Sequence, residues 1–355
     1  MNSLVANRPE DVTVDFLNQV IPRHDAYITT AECEAFGTGQ IATTLRVSLT
    51  WSSEDPNHPT HVIVKLAGVD AGRREASRRQ ATFRREVEFY RELAPQLTLA
   101  TPRCLYAASH ATTGSMTIVL LEVTGRRGNQ LAGCGIPDAE SVVESAVRLH
   151  APFWNRPELL SPFDWLAPDG PEAAEVRGDR YRQLVRSFAD QYQRRLDTEV
   201  LDTAFQLGEA IEAVTTHRRS PVCLTHGDFR LDNLIFVDSS ERTTAVVVDW
   251  QTVGAGSGPA DLAFALGSGL STDLRRRHEI RLLNLYADGL NEGGVDIVRA
   301  DVEHDYRLGA AEGLVMAVIA SQVVTHTDRG DEMFAVMAEL HALQMHDLGT
   351  LQLLR

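Results

Sequence analysis

Hydrophobic and polar positions divide this chain into a first third with the period of strands and a longer remainder with the period of helices. Residues 41–51 alternate and are rich in β-branched side chains, which predicts a strand with one buried face. Residues 61–66 and 116–122 predict two more. Between them, residues 74–93 are charged and periodic, with Phe83, Val87, Tyr90 (or Phe89) and Leu93 at helical spacing. Pro95 and Pro102 break that helix. After Gly125 helical spacing takes over. It predicts a helix over 137–150, one or two over 180–216, one over 271–290 that opens on a capping Ser-Thr-Asp, and others over 301–324 and 331–348. A strand-rich piece at 222–250 interrupts this run, with apolar segments at 234–237 and 244–248. The expected fold class is therefore α+β. A β-rich N-terminal part over 1–122 carries one prominent helix, and a larger, mainly helical part spans 123–355.

Composition adds exclusions and one oddity. The 355 residues hold 34 basic and 49 acidic side chains, a net charge of −15, which argues against a nucleic-acid partner. Hydrophobic content of 43% and charged content of 23% are ordinary for a globular protein. The four cysteines form no C-x-x-C pair, so neither a disulfide framework nor a zinc site is expected. No basic segment followed by an apolar run opens the chain, and the apolar stretch 313–324 is too short to cross a bilayer. A cytoplasmic protein with no membrane partner is expected. The oddity is that Lys65 is the sole lysine among those 34 basic residues. Drift toward arginine codons would leave one lysine by chance, whereas a task that needs an ammonium would leave it for a reason.

The chemistry concentrates in Leu224-Thr225-His226-Gly227-Asp228-Phe229-Arg230-Leu231-Asp232-Asn233, followed by an apolar strand and then Asp249-Trp250-Gln251. Asp228 and Asn233 lie five apart on one loop, and a second carboxylate follows the strand. Such a set can hold Mg²⁺ through hard oxygen ligands and leave one carboxylate to orient a hydroxyl. A tight turn explains H-G-D alone, and a helix cap explains Asp249 alone. Neither explains the conjunction.

With these residues the sequence resembles the aminoglycoside phosphotransferase and choline kinase superfamily, and most closely its ecdysteroid-kinase-like branch. The resemblance runs from about residue 35 to 324. It is supported by the Phe-Arg-Arg-Glu-Val-Glu-Phe-Tyr stretch at 83–90, by Leu-His-Ala-Pro-Phe-Trp at 149–154 and by Gly-Pro-Ala-Asp-Leu-Ala at 258–263. It implies a two-lobed protein-kinase-like fold and ATP- and Mg²⁺-dependent phosphorylation of a hydroxyl on a small molecule. Asp228 then matches the catalytic aspartate, Asn233 and Asp249 the magnesium ligands, His226 a brace for the loop, and Asp261 a buried tie to it. Lys65 matches the lysine that holds the α- and β-phosphates and pairs with a helix glutamate. Glu86 is the expected partner because it shares a face with Phe83 and Tyr90, and Glu88 is the runner-up. The segment Phe36-Gly37-Thr38-Gly39-Gln40 either closes over the phosphates with its amides or makes a plain hairpin turn. Glu122 and Val123 match the hinge whose main chain meets adenine.

The pattern also departs from that of protein kinases. Trp250-Gln251 stands where Phe-Gly would follow the metal aspartate, and no A-P-E segment appears. That weighs against a protein substrate. A nucleotide-binding pseudokinase is the first alternative, disfavoured because all five polar site positions hold competent residues, and a protein kinase is the second. Residues 153–217 and the C-terminal helices are expected to form the acceptor wall. They leave an antibiotic, a choline-like amine, a sterol and a sugar all open as acceptors, with the acidic balance tilting slightly toward a cation.

Overall fold

The alternating segments of the first third pair into one sheet. The computed structural model describes residues 4–22, 26–36, 42–67, 81–110 and 112–355. Among them, β1 (Ile28–Ala35), β2 (Thr43–Trp51), β3 (His61–Leu66), β4 (Cys104–His110) and β5 (Ser115–Leu121) form an antiparallel sheet in the order β1-β2-β3-β5-β4. Alternation in β3 sends Val62, Val64 and Leu66 into an apolar core with Phe16, Leu17 and Val20 of helix α1 (Val14–Val20). The same alternation leaves Ile63 and Lys65 on the opposite face. Lys65 stands between Thr44 of β2 and Ile118 of β5, inside the sheet and not at its edge.

Helix α2 (Thr82–Glu88) buries Phe83, Glu86 and Val87, then widens into a π-helical turn over Phe89–Leu93. The wider turn rotates the buried face, so Phe89, Tyr90 and Leu93 are all inside. A strict 3.6-residue period admits only one of the two aromatics, which is why the sequence pattern left the choice open.

Two compact units result. One comprises Met1–Leu97, Thr101–Thr124 and Val248–Thr252, and the other Thr98–Ala100, Gly125–Val247 and Val253–Arg355. Asp249 thus belongs to the first unit although it lies far along the chain. Trp250 next to it is fully buried and stacks on Phe89, ring centroids 3.7 Å apart.

In the second unit β6 (Arg126–Arg127), β8 (Leu234–Asp238) and β9 (Thr243–Val247) form a small sheet, and β7 (Cys223–Thr225) pairs with β10 (Gly254–Gly256). The main helices are α3 (Ile136–His150), α4 (Pro171–Tyr192), α5 (Thr198–Gly208), α6 (Gly258–Gly269), α7 (Thr272–Glu292), α8 (Arg299–Gly309), α9 (Glu312–Ser321) and α10 (Asp328–Leu348). Almost every residue of α6 is buried, and α3, α8, α9 and α10 pack around it. A helix apolar on all sides is a central one. Its lack of a polar face hides it from a search for amphipathic periodicity. No described helix is long and apolar enough to cross a membrane.

Three expectations change. The single element expected over 301–324 is two helices, α8 and α9, separated at Ala310 and Ala311. At the break Gly309 lets α8 approach α6 so closely that a Cβ would stand 2.3 Å from the Ala260 Cα. The region 180–216 holds two helices, within the one or two expected, but α4 already starts at Pro171 and a short turn of helix over Ala213–Thr216 is added. Strands β1 and β4 went unforeseen. β1 exposes most of both faces at the sheet edge, and the centre of β4 carries Ala107, Ala108 and Ser109, which have little strand propensity.

Candidate active site

In the first unit the site is built around the sole lysine. β3 places Lys65 on the sheet face away from the core, and α2 turns Glu86 toward it. The ammonium Nζ lies 2.8 Å from Glu86 Oε1 and 2.7 Å from Oε2, and 3.0 Å from Asp249 Oδ1. Gln251 Nε2 donates to Glu86 Oε2 at 3.3 Å. Glu86 is 1% exposed, and the Lys65 side chain 12%. Asp249 is held at φ 67°, the left-handed region that few residues other than glycine adopt. Aspartate tolerates it better than most, and the turn swings the carboxylate toward Lys65.

The electrostatics follow from two carboxylates sharing one ammonium. Burial works to lower the pKa of Lys65, but Asp249 and Glu86 outweigh it and hold the group above its ordinary value. Burial pushes the Glu86 carboxyl up, against the pull of Lys65 and with the like charge of Asp249 adding to it. Burial extends to the neighbours of Glu86. Burial raises the Tyr90 phenol well above its usual range and the Cys104 thiol to about 12. The trio carries one surplus negative charge, an environment suited to a further cation.

In the second unit, β7 and β8 flank the loop that carries Asp228 and Asn233. Gly227 takes φ 78°, which a glycine supplies without strain and which the H-G-D turn requires. The backbone amides of His226 and Gly227 donate to the Asp261 carboxylate at 2.6 and 3.0 Å, so α6 holds the loop through that side chain. His226 is fully buried, and its Nδ1 accepts from the Asp228 amide at 3.2 Å. Asp228 itself is clamped. Arg230 Nε donates to Oδ1 at 2.9 Å, and Asn233 Nδ2 donates to Oδ2 at 2.9 Å and to the Asp228 carbonyl at 2.8 Å. With the Asn233 amide nitrogen committed to Asp228, its carbonyl oxygen is the atom left to meet a hard cation.

Of the residues expected from sequence, Lys65, Glu86 and Asp249 come together in one unit, and Asp228, Asn233, His226 and Asp261 in the other. Glu88 turns away and pairs with Arg91 at 3.2 Å. Glu122, just past β5, binds Arg46 through its side chain at 2.7 and 3.0 Å, and Val123 beside it is half-buried. Gly37, Thr38 and Gly39 lie outside the described residues. Sequence reasoning missed Gln251 on Glu86 and Arg230 on Asp228. Arg230 sits inside the very motif that was read, yet its type alone carries no hint that it folds back two residues. Glu86→Ala should destabilise the protein by about 1–3 kcal/mol, because the buried Lys65 ammonium loses a partner. Glu88→Ala should cost less than about 1 kcal/mol, since its partner Arg91 is exposed. Thermal melting of the two variants checks this, and the opposite order would move the partnership to Glu88.

A sequence model of the phosphotransferase enzyme family matches residues 36–300. No curated protein matches the chain closely enough to count as a relative. Among solved structures the chain is similar to choline kinase from Cryptosporidium parvum Iowa II, at 11% identity over 94% of each chain with a TM-score of 0.59. It is similar to the macrolide 2′-phosphotransferase of Brachybacterium faecium, at 17% identity over 91% of this chain and 97% of that one, TM-score 0.53. A third is aminoglycoside 2′-phosphotransferase-IIIa in its GDP complex, at 14% identity over 90% and 94%, TM-score 0.54. These likenesses speak for the fold: α+β, of the kinase-like phosphotransferase type, with a sheet-bearing N-terminal region and a helical C-terminal part.

Proposed function

The chain belongs to the phosphotransferase enzyme family, and we propose that it transfers the γ-phosphoryl group of ATP to a hydroxyl group of a small molecule, with magnesium. The observation that carries this reading is the Lys65 ammonium seated on both oxygens of Glu86 and on Asp249. A buried charge of this kind is costly to keep. Its geometry suits a triphosphate, for which a compact ammonium is a good anchor.

In the proposed reaction Lys65 binds the α- and β-phosphates, with Glu86 and Gln251 fixing its direction. The acceptor oxygen attacks the γ-phosphorus, the bond from that phosphorus to the β,γ-bridging oxygen breaks, and ADP departs. The hydroxyl proton passes to the Asp228 carboxylate, whose orientation Arg230 and Asn233 hold. Asn233 and Asp249 are the proposed oxygen ligands for magnesium, which when bound neutralises charge developing on the phosphates. Main-chain groups at Glu122 and Val123 are proposed to meet adenine. A phosphate-covering role for Gly37, Thr38 and Gly39 rests on the motif alone.

The acceptor is proposed to be a small molecule because choline, macrolide and aminoglycoside kinases share the fold, and because no A-P-E segment is present. The Leu149-His150-Ala151-Pro152-Phe153-Trp154 stretch supports the ecdysteroid-kinase-like branch. Use of ATP supports a cytoplasmic setting. The test is ADP release by the purified protein with ATP and Mg²⁺ across aminoglycosides, macrolides, choline, ethanolamine, sterols and sugars. At least one acceptor is expected to raise release well above the acceptor-free rate. Should none do so, the transferase reading fails and a nucleotide-binding module without turnover takes its place.

A further inference from the structure

Three helices of the second unit bring together a buried group for which the proposed chemistry has no direct use. His150 ends α3, Tyr286 lies on α7, and both are fully buried. His150 Nδ1 and the Tyr286 hydroxyl are 2.8 Å apart, the rings meeting edge-on at 81°. The other ring nitrogen, Nε2, is buried without a hydrogen bond and lies 3.5 Å from Asp261 Oδ2. That oxygen is the one accepting the His226 amide. Space has been kept for the pair, because a Cβ at Gly258 would stand 2.6 Å from the Tyr286 hydroxyl and 2.8 Å from His150 Nδ1.

Either ring nitrogen of His150 can carry the proton, and a tyrosine donor at Nδ1 favours Nε2. A tyrosine hydroxyl donating to Nδ1 leaves the imidazole proton on Nε2, directed at Asp261. A buried N–H that finds no acceptor is costly, and the Asp261 carboxylate is the acceptor within reach of a small adjustment.

We propose that Tyr286 and His150 are positioning residues that act through Asp261: Tyr286 sets the imidazole tautomer, His150 orients the carboxylate, and the carboxylate holds the amides of His226 and Gly227 that carry Asp228. The part concerning turnover rests on the phosphotransferase mechanism above, whereas the brace itself does not. Three variants separate positioning from packing. Tyr286→Phe keeps the ring and removes the hydroxyl, His150→Leu removes the donor, and His150→Gln keeps an N–H near the Nε2 position.

Amide hydrogen exchange of the substrate-free protein, resolved at His226 and Gly227, is the primary readout. Exchange there is expected to rise about ten-fold in Tyr286→Phe and His150→Leu while the strands of the first unit stay unchanged, and His150→Gln should restore most of the protection. In the active enzyme the same two variants should lose kcat with little change in KM for ATP. Wild-type protection at both amides in Tyr286→Phe would overturn the proposal, as would acceleration spread evenly over the whole chain. Exchange is read without substrate, so absence of turnover in the wild-type protein would sink the mechanism and leave this result standing.

Discussion

Asp228→Asn is expected to lower kcat by about 10³-fold, the scale on which a positioned proton acceptor contributes, with KM for ATP nearly unchanged. The side chain is 19% exposed, and each of its oxygens receives one donor, Arg230 Nε on one and Asn233 Nδ2 on the other. Asparagine matches the shape but presents only one oxygen to two donors. One donor then faces an NH₂ group, a loss of about 1–3 kcal/mol in stability. That loss leaves most of a stable protein folded. The fall in kcat has a separate origin: the amide takes no proton from the acceptor hydroxyl, and one of the two carboxylates opposing Arg230 is neutralised while Asp232 remains. Single-turnover quench measurements on folded variant, beside its melting curve, separate the two effects. A kcat within ten-fold of wild type would remove Asp228 from the proton-accepting role.

Lys65→Arg is the second large effect, expected at 10²-fold or more in kcat/KM for ATP although the charge is kept. The ammonium occupies a space bounded by both Glu86 oxygens and by Asp249, and its side chain is 12% exposed. A guanidinium is a planar fork larger than that space, so it displaces either α2 or Asp249. Lys65→Met should do equal damage to activity and in addition destabilise the unit by about 3–5 kcal/mol, because two carboxylates then face one another without a counter-charge. Nucleotide affinity by calorimetry and thermal melting distinguish these routes. Near-normal turnover in Lys65→Arg would refute the anchor role, since any cation would then serve.

Much of the site was legible because its residues lie close together in the chain. His226, Gly227, Asp228 and Asn233 share one loop whose turn demands glycine, and their spacing shows directly in the sequence. Lys65 stood out for a compositional reason, and alternation within β3 explains why it faces away from the core. The helical face of α2 distinguished Glu86 from Glu88 through Phe83. What was not legible depends on contacts between distant segments. Gln251 reaches Glu86 across 165 positions, and nothing local marks it. The α6 helix carries Asp261 but has no polar face to betray its period, so only its Gly-Pro-Ala-Asp start was visible. Strands β1 and β4 owe their conformation to their neighbours β2 and β5 rather than to their own residues. The π-helical turn after α2 buries two adjacent aromatics, which no fixed period anticipates.

Phosphorus-31 NMR of ATP, Mg²⁺ and an acceptor from the panel tests the central claim most directly, because it reports where the γ-phosphorus goes. The wild-type protein should convert the γ-phosphate signal into that of a phosphate ester on the acceptor, in step with ADP, and Asp228→Asn should leave ATP intact over the same period. Formation of inorganic phosphate alone, at equal rates in both proteins, would contradict the account.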